Sequence, residues 1–274
     1  MTETTTGRAE RSILPPGLGT AIRETAAEIA ALVRGAADTA RPVPGLEWSI
    51  GETAAHLAQA NALMAELAAG LQRPYGDGTP GSIAEANARV LADFPERAAG
   101  PLADLIEEQA DAFLAAVEER DPDEVLATPM GAMDPATLGS YLLTHMLGHG
   151  YDLARALGRS HMLDRARVEL TLPFMITAMP RVVDPAAVAG LNARFTVRLW
   201  GGARFGVTVA DGAVRVVDGP VDRPDCTILT EPVTFLLMAL GRCGPWGAIA
   251  RGRALSWGRR PWLAPRFPAL FIAP

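Results

Sequence analysis

SYLLTHMLGHGYDLARALGR, residues 140–159, is the stretch from which the architecture of the chain can be read. It holds His145 and His149, two of the four histidines, four residues apart. On a helix that spacing stacks two side chains one turn apart on the same face. Leu138, Leu142, His145, His149, Asp152 and Ala156 alternate in threes and fours, the seam that a bundle helix turns toward its neighbours. Both imidazoles therefore point inward. Asp134-Pro135 supplies an N-cap and an N1 proline for this helix, and Gly158 is placed to end it.

Three more helices precede it. Leu18, Ile22, Ala26, Ile29 and Val33 recur at helical spacing after Pro15-Pro16-Gly17. A proline-marked link at 41–45 leads to LEWSIGETAAHLAQANALMAEL, where Ser49 and Glu52 form a capping box. In the helix that follows, Ile50, Leu57, Met64 and Leu67 make the apolar side, and His56 lies with them as a third inward histidine. Ser82 and Glu85 offer a second capping box, for a segment that Pro95 and Gly100-Pro101 interrupt. Leu102, Leu105, Ile106, Gln109, Phe113 and Val117 then resume the helical period. Four principal helices with short or proline-marked links predict a four-helix bundle.

The pattern changes after Asp164. Phe195, Val197 and Leu199 alternate with polar residues, followed by Gly201-Gly202, a run at 205–209, Asp211-Gly212 and a run at 213–217. This predicts a three-stranded antiparallel meander. Residues 226–229 read as another strand, and 254–257 as a last one. Thr230 as N-cap and Pro232 open a short helix at 233–240. The expected class is α plus α+β: a four-helix bundle over 13–160, then a smaller α+β domain over 164–274.

Composition excludes several functions. With 49% hydrophobic and 20% charged residues, the chain has the makings of a packed core. A net charge of -6 speaks against a nucleic-acid binder. The polar opening MTETTTGRAERS is not a signal peptide, and no apolar run is long enough to span a membrane. Two cysteines, Cys226 and Cys243, make no disulfide framework, so a soluble cytoplasmic protein is expected, without membrane or nucleic-acid partners. The chain contains no lysine, which removes Schiff-base chemistry and the P-loop lysine, and its composition suggests a GC-rich genome.

His56, His145 and His149 would give a metal three neutral nitrogen ligands from two helices, with positions left open for chemistry. The alternative is three core histidines bonded to backbone or to Asp152, each needing a partner, because an unpaired buried polar group costs about 1–3 kcal/mol.

Two motifs around these histidines, LEWSIGETAAHLA and HMLGHGYDLARALG, resemble the ligand-bearing motifs of the mycothiol-dependent maleylpyruvate isomerase family. PDCTILTEPVTFLLMALGR is similar to the sterol-carrier-like C-terminal domain found in that family. The resemblance implies a DinB-like metal-binding bundle followed by a sterol-carrier-like domain. It makes His56 the first metal ligand and His149 the last. The isomerases carry glutamate where His145 stands, whereas other DinB-like proteins use three histidines. Three imidazoles leave a divalent metal its full +2, which lowers the pKa of a bound thiol or water. The implied cofactors are a divalent metal, zinc first, and mycothiol. The implied function is isomerisation or S-conjugation of an electrophilic small molecule, as an isomerase or a thiol transferase from an actinobacterial source. Two alternatives stand beside it: a thiol-independent metal enzyme acting on a specialised metabolite, and a non-catalytic binder of an apolar ligand. Family membership does not fix the substrate.

Among other residues, Asp152 can accept an imidazole N–H from behind the ligands, or be a surface carboxylate at the helix end. Arg242, Arg251, Arg253, Arg259 and Arg260 crowd the C-terminal region, and Arg242 is the best candidate to grip a carboxylate of the thiol or substrate. Trp48 is read as a hydrophobic staple before the cap. His161 is read as a surface histidine, and Cys226 as buried packing.

Overall fold

The computed structural model describes residues 13–77 and 79–272; the polar first dozen residues lie outside them. Helices α1 (Leu18–Arg34), α2 (Ile50–Ala68), α4 (Ala99–Glu118) and α5 (Pro135–Leu157) form the bundle. Each of α1 and α2 packs against both α4 and α5, so the four close around one core. The apolar stripes meet there: Ile22, Ile29, Ile50, Leu57, Ile106, Phe113, Leu138 and Leu142 are fully buried. Burying side chains of this size is what holds such a bundle together, at about 1.5–3 kcal/mol each. Close approach of α1 and α5 depends on Gly150. A Cβ there would stand 2.8 Å from Met162 Sδ and 3.0 Å from Ile29 Cγ1.

The helix ends follow the local chemistry. Ser49 and Glu52 make the expected capping box on α2. Asp134 caps α5 by accepting the Thr137 amide, and Gly158 ends it with φ 65, a left-handed backbone that only glycine adopts cheaply. Helix α3 (Pro80–Asp93), which packs on α2, begins differently from expectation. Thr79 is its N-cap, accepting the Ser82 amide, so the Ser82–Glu85 pair sits inside the first turns and caps nothing.

Helix α6 (Arg165–Ala178), a 3₁₀ turn at Met179–Arg181 and helix α7 (Pro185–Val188) fill a region for which the sequence suggests no element. Helix α6 packs against α5 and α8, so its apolar residues do not fall on one stripe. Pro173 also interrupts its hydrogen-bond ladder. Ser140 of α5 repairs the gap: its hydroxyl donates to the Leu170 carbonyl at 2.8 Å and accepts the Phe174 N–H at 3.1 Å.

Strands β1 (Ala193–Leu199), β2 (Arg204–Ala210), β3 (Ala213–Asp218), β4 (Cys226–Thr230) and β5 (Ala254–Trp257) form one five-stranded sheet in the order β3-β2-β1-β4-β5. The meander is antiparallel as predicted, β4 pairs parallel to β1, and β5 closes the edge antiparallel to β4. Helix α8 (Pro232–Ala239) follows β4. Its N-cap is Glu231, whose carboxylate accepts the amides of Val233 and Thr234; the expected Thr230 cap is not used, because a carboxylate satisfies two free amides at once. Helix α9 (Pro245–Ala250) leads into β5. The molecule is thus an α plus α+β protein. Among the described residues no helix is long and apolar enough to cross a membrane.

Candidate metal centre

The capping box fixes where α2 begins, and that puts His56 on its buried side at 5% exposure. The long α5 brings His145 and His149 to meet it. The three rings form a near-equilateral triangle, with centroids 4.9, 4.9 and 4.8 Å apart and mutual tilts of 62°, 82° and 68°. His56 Nε2 lies 3.0 Å from His145 Nε2, and one nitrogen from each ring lies within 4.8 Å of the others.

At 3.0 Å His56 and His145 can share a hydrogen bond through their Nε2 atoms, the direction set by their tautomers. Of the alternative, core histidines bonded to backbone or to Asp152, the backbone part does not hold for His145 Nδ1 and His149 Nδ1, which are buried and make no hydrogen bond, while Asp152 does stand beside His149. Burial, with His149 adding to it, holds His56 well below the ordinary imidazole range. Burial first, then His149, His56 and Arg242, does the same for His145. Both are therefore neutral with lone pairs available. Together with His149, whose ring lies within reach of the same point, they make a donor set that fits a first-row divalent metal.

Behind His149 stands Asp152, 2% exposed, with Oδ2 3.6 Å from His149 Nδ1. That distance is an ion-pair contact but too long for a hydrogen bond. Arg242 reaches the same carboxylate: Nη2 lies 2.8 Å from Oδ2 and Nε 3.3 Å from Oδ1, while Nη1 bonds the Leu240 carbonyl. Burial pushes the Asp152 carboxyl up, but His149 and Arg242 together hold it below the usual carboxylate range. The surface-carboxylate reading of Asp152 is thereby corrected. Arg242 is the one C-terminal arginine among the described residues that lines the cavity in front of the histidines. Its guanidinium, read from sequence as a grip for a ligand carboxylate, is occupied by a carboxylate of the protein itself.

Trp48 also differs from expectation. The N4 position of α2 is Thr53, so a hydrophobic staple lacks its apolar partner. The indole instead lies over the triad, 4.7 Å from His56 and 6.1 Å from His149. His161 is exposed and Cys226 is buried, its thiol pushed up to about 11 mainly by burial, so neither is part of the centre.

The triad opens on a cavity of about 940 Å³ between the bundle, α3, α6 and the sheet region. Tyr75, Asn87 and Tyr141 on its wall were not singled out from sequence. The signal for Tyr141 was available, since it lies one turn before His145 on the same face; Tyr75 and Asn87 carry none, because a loop and a peripheral helix bring them in.

Residues 20–154 match the family described as the mycothiol maleylpyruvate isomerase N-terminal domain. A crystal structure of a histidine-to-alanine mutant of the mycothiol-dependent maleylpyruvate isomerase is similar to the chain at TM-score 0.52 and 15% identity, covering 89% of this chain and 93% of that one. A second structure of that isomerase superimposes at TM-score 0.48 and 14% identity, with the same coverages of 89% and 93%. No curated protein matches the chain. The first of these likenesses shows that the fold extends beyond the bundle. Through residues 20–154, which take in nearly all of α1 to α5, the chain belongs to the family of the mycothiol maleylpyruvate isomerase N-terminal domain.

Proposed function

We propose that the protein is a metal-dependent enzyme that uses a low-molecular-weight thiol, mycothiol, to isomerise or S-conjugate an electrophilic small molecule. In this reading, residues 13–160 are the metal-binding bundle and 164–274 a sterol-carrier-like domain. The observation that carries the proposal is the convergence of three imidazoles on one point that faces a cavity. His56, His145 and His149 would hold the metal, zinc first among the candidates. When bound, it supplies Lewis acidity that favours the thiolate over the thiol at neutral pH. The chain's own residues do the rest. Burial keeps His56 and His145 unprotonated. Asp152, held by Arg242, faces His149 Nδ1 and so favours the tautomer that leaves Nε2 toward the other two rings. Trp48 and the apolar wall limit water around the reacting atoms.

The test is to load the protein with cobalt and titrate it with mycothiol. A thiolate-to-metal absorption band that appears in wild type and is lost in His149→Ala supports the proposal. Metal uptake without any response to thiol would move the thiol-independent enzyme to first place. The apolar lining of the cavity favours one further alternative, a non-catalytic binder of an apolar ligand. That reading predicts no metal uptake and unchanged ligand binding in His145→Ala.

A further inference from the structure

The cavity in front of the histidines is not built for a small, highly charged acid. Its wall draws on both halves of the chain, with Leu63 and Leu67 from the first and Val197, Ile228, Phe235 and Phe267 from the second. Its volume is at the upper end for a small-molecule site. Among the described residues that line it, Arg242 and Arg155 are the cations. Arg242 is committed to Asp152 and the Leu240 carbonyl. Arg155 is exposed and lies over the Tyr151 ring at 5.7 Å. The chain has no lysine to add a third. Glu47 and Asp152 add negative charge to the same wall. Apart from a metal held by the histidines, the wall offers two carboxylates no pair of matched cations in exchange for the water they would lose.

Of the two phenols on the wall, one hydroxyl is unused. Tyr75 donates its hydroxyl to Asn87 Oδ1 at 2.5 Å, so its hydrogen is committed. The Tyr141 hydroxyl has no hydrogen-bond partner among the described residues. Its ring is fixed by stacking on Phe174, with centroids 4.2 Å apart and planes 11° from parallel. Tyr141 stands one turn from His145 on the same face of α5. Burial, with Tyr75 nearby, pushes its phenol up to about 12, so it remains a donor throughout the working pH range.

We infer that the acceptor substrate of the histidine centre is an elongated, mostly apolar electrophile whose single polar head, a carbonyl or its equivalent, accepts a hydrogen bond from Tyr141 while its chain fills the cavity. This rests on the metal-and-thiol reading for the word "substrate", but the recognition itself can be measured without turnover. Methyl n-alkyl ketones from propyl to undecyl carry the head and the chain but no electrophilic double bond. Their binding to metal-loaded protein, followed by calorimetry without thiol, should tighten about fourfold per added methylene until the cavity is full. Tyr141→Phe keeps the stacked ring and should weaken the whole series by about threefold to tenfold without changing its slope. Maleate and fumarate, as dianionic probes of the wall in metal-free protein, should bind more weakly than the heptyl ketone does there. A flat series, tighter binding of either dianion, or an unaffected Tyr141→Phe would overturn the inference. Elemental analysis of the same samples separates the two claims. A flat series in protein that holds metal removes this inference and leaves the metal-and-thiol reading standing. A steep, Tyr141-dependent series in protein that takes up no metal supports the recognition and removes the enzyme reading.

Discussion

Removing Arg242 tests how the sheet region is tied to the histidine helix. The guanidinium meets the Asp152 carboxylate through two N–H groups, at 2.8 and 3.3 Å, with exposures of 14% and 2% for the two side chains. At 2.8 Å and an effective dielectric of about 20, their attraction is about 6 kcal/mol before desolvation is subtracted. Breaking such a pair from one side costs about 3–5 kcal/mol, because a buried charge is left behind. His149 cannot replace Arg242, since its Nδ1 stands 3.6 Å away and the ring carries a charge only when protonated. Arg242→Met should therefore destabilise the metal-free protein by about 3–5 kcal/mol, a large share of the total for a domain. Asp152→Asn in the same background should recover about half of that loss, since the uncompensated charge is then gone. The assay is urea unfolding of wild type, both single variants and the double variant at neutral pH, in low and high salt. A coupling energy below about 1 kcal/mol, or one that disappears in high salt, is the behaviour of an exposed pair and would refute the argument.

Acid should destabilise the metal-free fold at mildly low pH. His56 and His145 are held below 6.5 by burial, so between their folded values and 6.5 the unfolded chain binds more protons. Their contribution is fully present above pH 6.5 and is lost as pH falls below it, at up to about 1.4 kcal/mol per pH unit for each histidine. Unfolding midpoints measured from pH 8 down to 5 check this, and a profile flat across that range would contradict it. Ser140→Ala leaves the Phe174 N–H and the Leu170 carbonyl without the hydroxyl that serves both, and should cost about 1–3 kcal/mol in chemical denaturation. Gly150→Ala forces Met162 and Ile29 to move and should cost about 1–3 kcal/mol, whereas Gly81→Ala in α3, where a Cβ meets nothing, should leave the unfolding midpoint near wild type.

The bundle was legible because its helices carry one-sided stripes: Leu18 to Val33 and Leu138 to Ala156 turn the same faces inward in the structure as in the sequence. The meander was legible for the parallel reason, alternation between glycine-marked turns. Helix α6 was not, since burial from several sides erases periodicity and Pro173 reads as a breaker until Ser140 is seen to bridge the gap. At the centre, the spacing of His145 and His149 placed both on one face, and the apolar neighbours of His56 aimed it inward. The Asp152–Arg242 pair joins residues ninety apart, and nothing in local patterning announces such a contact. Trp48 looked like a staple because the sequence shows its place before the cap but not the rings that it covers.

Whether the three histidines form one metal centre is decided by elemental analysis of protein reconstituted with zinc and freed of excess, wild type beside His56→Ala and His149→Ala. About one equivalent is expected in wild type and little in either variant, because two imidazoles from a broken triangle bind far more weakly than three. Wild-type protein that holds no metal under these conditions, or variants that retain the full equivalent, would contradict it.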